Sequence, residues 1–333
     1  SPLGTGAPTP SRSVSAPGRV RFELACTRTP GFPFEIGRPP ISQSGPATWI
    51  TTLADWDAFA DWYRPLLQQR STLSAELAEL VDTWTEGAAD EDEIIARLLQ
   101  RASNDVRYTG LEFGISGLQP YDCNEVWENQ YGDCKDKSNL LRAMLAHKGI
   151  RSYLTLLNTD HAGRIEKRSP DYRQFDHAIL AIERDGGSLQ FCDPTIEFAR
   201  PGGLSPHDAD REVLVIRDDR AEFVRTPAAS AGQLGYDFDL ELSAGREISG
   251  WLTLSASGNY ASSYRSFFSR KDPQALNQAL AGIIGDFFPT AEVADVETPN
   301  SGDWDRGDYQ LRAYFVAPGN DSGELSLLFP QSD

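Results

Sequence analysis

The sequence predicts a multidomain α+β protein, and three observations carry that. Between residues 46 and 105, apolar residues recur at helical spacing. Between 106 and 230, one strongly patterned helix precedes strand-like alternation and a hairpin signal. From 231 to 333, alternating segments dominate. The 333 residues suffice for two or three domains, at roughly 100–200 residues each. A hydrophobic fraction of 40%, with seven Trp and sixteen Phe, supplies material for the cores.

The elements follow in order. Residues 1–45 read as a linker with the remnant of a β domain. Its first eighteen residues are rich in Ser, Pro, Gly and Thr. The run from Arg19 to Cys26 alternates like a strand, and a Pro-rich stretch follows. Residues 46–105 read as a helical segment leading into the core. Trp56, Phe59, Trp62, Tyr63 and Leu66 share a helical face, and Pro65 is expected to kink or end that helix. Leu73, Leu77, Leu80, Val81 and Trp84 form a second face, and Ile94, Ile95, Leu98 and Leu99 a third. The acidic run Asp90 to Glu93 suits a helix N-terminus, so it reads as capping and solvation, not a metal site.

Residues 106–118 read as strand and loop, and 123–130 as a short helix. A longer helix opens at Cys134, with Leu140, Leu141, Met144 and Leu145 on its inner face and Gly149 as its C-cap. Strands are predicted over 151–157 and 175–183. Asp185-Gly186-Gly187 is a hairpin signal, Leu189 to Cys192 pairs back, and Asp193-Pro194-Thr195 ends that strand. In 231–333, residues 236–256 alternate across a turn at Ala244-Gly245. Helices follow at 258–268 and 273–287, and strands near 291–297 and 308–316. No internal repeat is visible.

A net charge of −18 disfavours nucleic acid and anionic membrane surfaces as partners. No apolar run is long enough to span a membrane as a helix. The chain opens on Ser1, which reads as a processing or truncation point. Lysine occurs only at 135, 137, 148, 167 and 271, so two of the five flank Cys134. The four cysteines, Cys26, Cys123, Cys134 and Cys192, form no Cys-x-x-Cys pair, which disfavours a zinc ribbon.

Cys134 is the candidate nucleophile. A thiol at a helix start faces unpaired N–H groups and the positive end of the macrodipole, and both favour thiolate. Such a nucleophile needs a base and a group that orients it. His147 lies at the far end of the same helix, about 20 Å away at 1.5 Å rise per residue. His161 and His207 fall in polar loops. His177 begins an apolar strand whose hairpin partner ends at Asp193, and a turn centred near 185–186 makes 177 and 193 near cross-strand neighbours. Asp193 would then fix the tautomer of His177 and stabilise its imidazolium. Asp133 and Asp136 read as helix caps, Cys192 as a packed thiol and Cys123 as an ordinary helix residue.

Four motifs carry a resemblance: Tyr108 to Gly114, Tyr131 through Gly132-Asp133-Cys134-Lys135-Asp136-Lys137, Phe175-Asp176-His177, and Cys192-Asp193-Pro194-Thr195. From Tyr108 to Ile216 the chain resembles the transglutaminase-like cysteine superfamily, and within it bacterial proteins that join a DUF3857-type domain to a transglutaminase-like core. The resemblance implies a papain-like core over residues 106–230, with a nucleophile helix packed on an antiparallel sheet and a β-rich C-terminal domain after it. It implies a Cys134–His177–Asp193 triad and acyl transfer on a carboxamide or peptide bond through a thioester. The implied partners are a protein or peptide substrate and an amine acyl acceptor, with no cofactor and no metal. A bacterial periplasmic or secreted location is implied as well. One oxyanion donor would be the Cys134 N–H. For the second, Gln130, Tyr108 and Trp127 are the upstream candidates, Tyr131 after them. The alternative function is a non-catalytic protein- or peptide-binding module on the same fold. The sequence leaves hydrolysis versus transamidation and the oligomeric state open.

Overall fold

A computed structural model describes residues 11–16, 19–23, 51–111, 113–159, 164–229, 232–245, 247–299 and 307–318. Cys26 and His161 lie outside them. The chain begins with an antiparallel hairpin, β1 (Ser11–Ala16) and β2 (Arg19–Glu23). The first of these strands falls where a linker was expected.

Three helices follow. Asp55, Ser74 and Asp90 cap α1 (Trp56–Gln68), α2 (Ala75–Thr85) and α3 (Glu91–Gln100) in turn, each accepting an N–H three residues on. The Asp90 run is therefore a cap, as its position suggested. α1 does not end at Pro65. It runs on to Gln68 because Leu67 is buried against the core, which offsets the lost N–H. Trp62 and Leu80 face outward instead of joining their apolar faces. α3 closes in a turn of π-helix, Arg101–Asp105.

The strand β3 (Arg107–Tyr108) precedes α4 (Cys123–Asn129), β4 (Tyr131–Gly132) and α5 (Cys134–His147). Then come β5 (Ser152–Leu157), β6 (His177–Glu183), β7 (Leu189–Cys192), β8 (Glu212–Ile216) and β9 (Ala221–Arg225). These five form one antiparallel sheet in the order β7-β6-β5-β8-β9. The pair β8 and β9 is absent from the sequence reading. Both faces of the sheet are covered, so β5 is buried at every position. On one face, α5 and its neighbours pack Leu140, Leu141 and Met144 against Leu180 and Ile182. Beside them α1 packs Phe59 and Tyr63 toward Leu154, Leu156 and Ala178. On the other face Ile179 and Ala181 meet Phe191, Leu204 and Ala209.

The C-terminal unit contains β10 (Leu234–Leu242), β11 (Ile248–Ser257), α6 (Asn259–Ser269), α7 (Pro273–Gly285), β12 (Glu292–Glu297) and β13 (Asp308–Ala317). Its antiparallel sheet runs β10-β11-β13-β12. Alternate residues of β11 and β13 are buried, among them Leu252, Leu254, Leu311 and Phe315, and they cluster with Phe268 and Leu280 of the two helices. The chain is thus α+β throughout. The two units meet where α6 packs on the loop after β7. Glu197 there accepts from Ser266 and pairs with Arg270, and Ser262 donates to the Phe198 carbonyl at 3.1 Å.

Candidate active site

The start of α5 is built tightly. The β3 and β4 segments pair in parallel, with Arg107 N–H donating to the Gln130 carbonyl at 2.8 Å and Thr109 N–H to the Gly132 carbonyl at 2.9 Å. That pairing fixes the chain two residues before Cys134. Gly132 has no room for a side chain, since a Cβ would lie 2.8 Å from the Asp136 Cβ. Asp133 is the N-cap. Its Oδ1 accepts from the N–H groups of Lys135 (3.1 Å) and Asp136 (3.2 Å), and Asp136 Oδ2 accepts in return from the Asp133 N–H at 3.0 Å. This is a capping box with Asp in both places. The other oxygen of Asp136 takes the Tyr121 N–H at 2.9 Å. Burial, and then the charge of Asp133, push the Asp136 carboxyl up to about 6.

The two lysines beside Cys134 are committed elsewhere. Lys135 is ion-paired with Asp133, both wholly inside the protein. The Lys137 ammonium donates to the carbonyls of Ser103 (3.1 Å) and Val106, at the π-helical turn. Burial holds it down to about 8, against the pull of the Asp193 charge.

Cys134 itself is 8% exposed, the first residue of α5, packed in the cluster of Trp56, Phe59, Tyr63 and Phe175. His177 opens β6, opposite Leu157. Its Nε2 lies 3.0 Å from Asp193 Oδ2, and Cys134 is near enough to the ring to favour its charged form. With Nε2 on the carboxylate, Nδ1 is the ring nitrogen left for the thiol. Asp193 Oδ1 accepts the Thr195 N–H at 2.8 Å, so both carboxylate oxygens are held. Burial opposes charge on His177, yet the Asp193 carboxylate and then Cys134 outweigh it and raise the imidazole to about 11. Burial opposes charge on Asp193 too, but its His177 partner and the Thr195 donors bring that carboxyl below its ordinary range. The three residues predicted from sequence are therefore together.

They meet on a different register from the expected one. The β6–β7 ladder pairs Leu180 with Cys192 and Glu183 with Leu189, which places position 179 opposite 193. Asp193 reaches the imidazole from the turn just beyond β7, not as a ladder partner.

The candidate oxyanion residues are scattered. Gln130 is the exposed left-handed C-cap of α4, φ 53°. Trp127 packs on Trp84 at 4.8 Å between ring centroids, in the helical core. Tyr108 is half-exposed on β3, and Tyr131 stands across from Arg107 on β4. Tyr108, Lys137, Thr195, Glu197 and Arg270 line a cleft of about 490 Å³ between the core and α6. His147 pairs with Asp82, and His207 is exposed. Cys123 and Cys192 are buried free thiols; burial pushes Cys123 up to about 12 and Cys192 higher still.

One residue at the site has no counterpart in the sequence reading. Asp208, 2% exposed, places Oδ1 at 3.9 Å from His177 Nε2. It sits in the turn Ser205–Ala209. A Ser–Asp spacing of three hints at such a turn, but nothing in a run of polar residues signals its burial. The nitrogen of His177 and the carboxylates of Asp193 and Asp208 lie within 4.8 Å of one another, a spacing that one cation could bridge. The direct Nε2···Oδ2 contact at 3.0 Å is the bond of an imidazole to its carboxylate and needs no ion between them.

No known family profile matches the sequence, and no curated protein does. Among the solved structures similar in shape are two. One is a candidate protease from Parabacteroides distasonis, at 9% identity and a TM-score of 0.49, covering 93% of this chain and 62% of its own. The other is a candidate cysteine protease from Cytophaga hutchinsonii, at 16% identity and a TM-score of 0.29, covering 49% of this chain and 53% of its own. The chain thus spans less than two thirds of either neighbour. Superpositions this loose define neither the fold nor the activity of this protein.

Proposed function

We propose that the protein is a thiol-dependent acyl-transfer enzyme with a papain-like, transglutaminase-like core, acting on a carboxamide or peptide bond. The observation that carries this is Cys134 at the capped start of α5, set near the His177 ring, whose Nε2 lies 3.0 Å from the buried Asp193 carboxylate. The Cys134 thiolate attacks the carbonyl carbon and forms a C–S bond, leaving a tetrahedral oxyanion. The Cys134 N–H, which the capping box does not use, is one donor to that oxygen. The C–N bond then breaks as the His177 imidazolium gives its proton to the leaving amine. A thioester remains. Water or a primary amine attacks it, His177 takes the incoming proton, and the thiolate departs. Asp193 keeps the ring in the tautomer that faces the thiol throughout.

The test is a Gln-containing peptide incubated with and without a primary amine, with wild-type protein and Cys134→Ala. Acid product alone makes the protein a hydrolase, and amine incorporation makes it a transamidase. Neither product, together with Cys134 labelling no faster than an ordinary thiol, sinks the proposal and leaves a non-catalytic binding module.

A further inference from the structure

We propose that Asp208 is a second carboxyl of the His177 site, a positioning residue that acts with Asp193 to hold the imidazole charged. The placement is built. Ser205 Oγ donates to Asp208 Oδ2 at 2.7 Å, and the Asp208 N–H donates to the Ser205 carbonyl at 3.1 Å. Thr226, at the end of β9, donates to the Asp208 carbonyl at 2.6 Å. Ala209 packs on the outer face of the sheet and anchors the turn there. What remains is Oδ1, at 3.9 Å from His177 Nε2, with the Asp193 carboxylate within 4.8 Å.

A cap alone does not need this. A turn at 205–209 forms with any small polar residue, and a carboxyl buried to 2% exposure is costly there. Burial, and then the Asp193 charge, push Asp208 up to about 6. Above that pH two carboxylates face one imidazole. An anion within about 4–6 Å favours the charged form of its partner by one to three pH units. The other groups in the neighbourhood do not take over this role. From α5 come Cys134 on the ring and Lys137, whose amine is bound to backbone carbonyls. From the turn after β7 come Asp193 and Thr195. Beside Asp208, His207 is exposed and Asp210 pairs with Arg225 of β9 at 2.6 Å.

The inference rests on reading His177 as the partner of Cys134, and the two can fail separately. The measurement is the ring titration of His177 by NMR in histidine-labelled full chain, wild type against Asp208→Asn. The asparagine keeps an acceptor for Ser205 and removes the charge. Its midpoint is expected at least about one pH unit below wild type, or inside the range to pH 10 where the wild type does not titrate. Ser205→Ala, which takes a donor from the ionised carboxylate, is expected to move the midpoint the same way by less, and it serves if Asp208→Asn does not fold. Variants that track the wild type point for point overturn the role of Asp208, whatever their melting temperatures. Iodoacetamide labelling of wild-type Cys134 at pH 6 separates the two ideas. Fast labelling with an unmoved His177 midpoint sinks Asp208 alone. Ordinary labelling with a lowered midpoint sinks acyl transfer and leaves Asp208 standing.

Discussion

Replacing Asp193 by Asn removes the anion that accepts the Nε2 proton of His177 at 3.0 Å. The imidazole sits near 11 where 6.5 is ordinary, a gap of about 4.5 pH units. At about 1.36 kcal/mol per unit this is roughly 6 kcal/mol favouring the imidazolium. Asp193 and Cys134 both contribute, so about half, near 3 kcal/mol or a hundredfold in population, is the share expected to vanish. The assay is the ring titration of His177 by NMR from pH 5 to 11, because a midpoint lowered to about 9 still leaves the ring charged at pH 6. Asp193→Asn should show that midpoint about two pH units below wild type. The sign of the stability effect follows from the same shifts. The raised imidazole stabilises fully below its ordinary 6.5 and loses that as pH rises through about 11, while the depressed Asp193 stabilises above its ordinary 3.8. The variant's loss in melting temperature is therefore largest near pH 5 to 7 and fades toward pH 11. A folded Asp193→Asn protein whose His177 midpoint stays with the wild type would refute this account of the site.

Gly132→Ala forces a Cβ to within 2.8 Å of the Asp136 Cβ, so the start of α5 must shift. It should cost about 1–3 kcal/mol in denaturant unfolding and slow Cys134 labelling with it. Lys135→Met leaves Asp133 buried without its cation, and urea unfolding should show a loss of about 3–5 kcal/mol. Asp208 binds its proton more tightly folded than unfolded, between its ordinary 3.8 and about 6, so its ionisation weakens the fold as pH rises through that window. Asp208→Asn should consequently gain on wild type by up to about 3 kcal/mol between pH 4 and pH 7, measured as the difference in unfolding free energy. A constant difference across that range would count against the burial argument.

Much of the fold near Cys134 was legible because its signals are local. Caps, helical periodicity and Asp185-Gly186-Gly187 act over four to ten residues, and the structure places α1 to α5 and β5 to β7 within a few residues of expectation. The C-terminal strands and helices follow from alternation in the same way. Other parts were not legible. Val213 to Ile216 is a short apolar run whose strand identity depends on pairing with β5, three strands back. Ser11 to Ala16 reads as linker because its strand character comes from the partner β2. Trp62 and Leu80 carry the right spacing for a buried face but stay 42% and 39% exposed, with the Trp62 ring against Phe59 and Tyr63 of its own helix.

The sequence by itself determined the setting of Cys134. A carboxylate cap, a cysteine in the first turn and an apolar face behind it are all encoded within Gly132 to Leu145, because a helix start is decided by its nearest residues. It also nominated His177 and Asp193, since a hairpin brings its two ends together over a short loop. Only the tertiary structure decided the rest. It put Asp193 beyond the ladder, took Lys135 and Lys137 away from the thiol, and buried Asp208 beside the imidazole. Those outcomes depend on which groups lose their water when distant segments pack, and on the charges that must then share one small space.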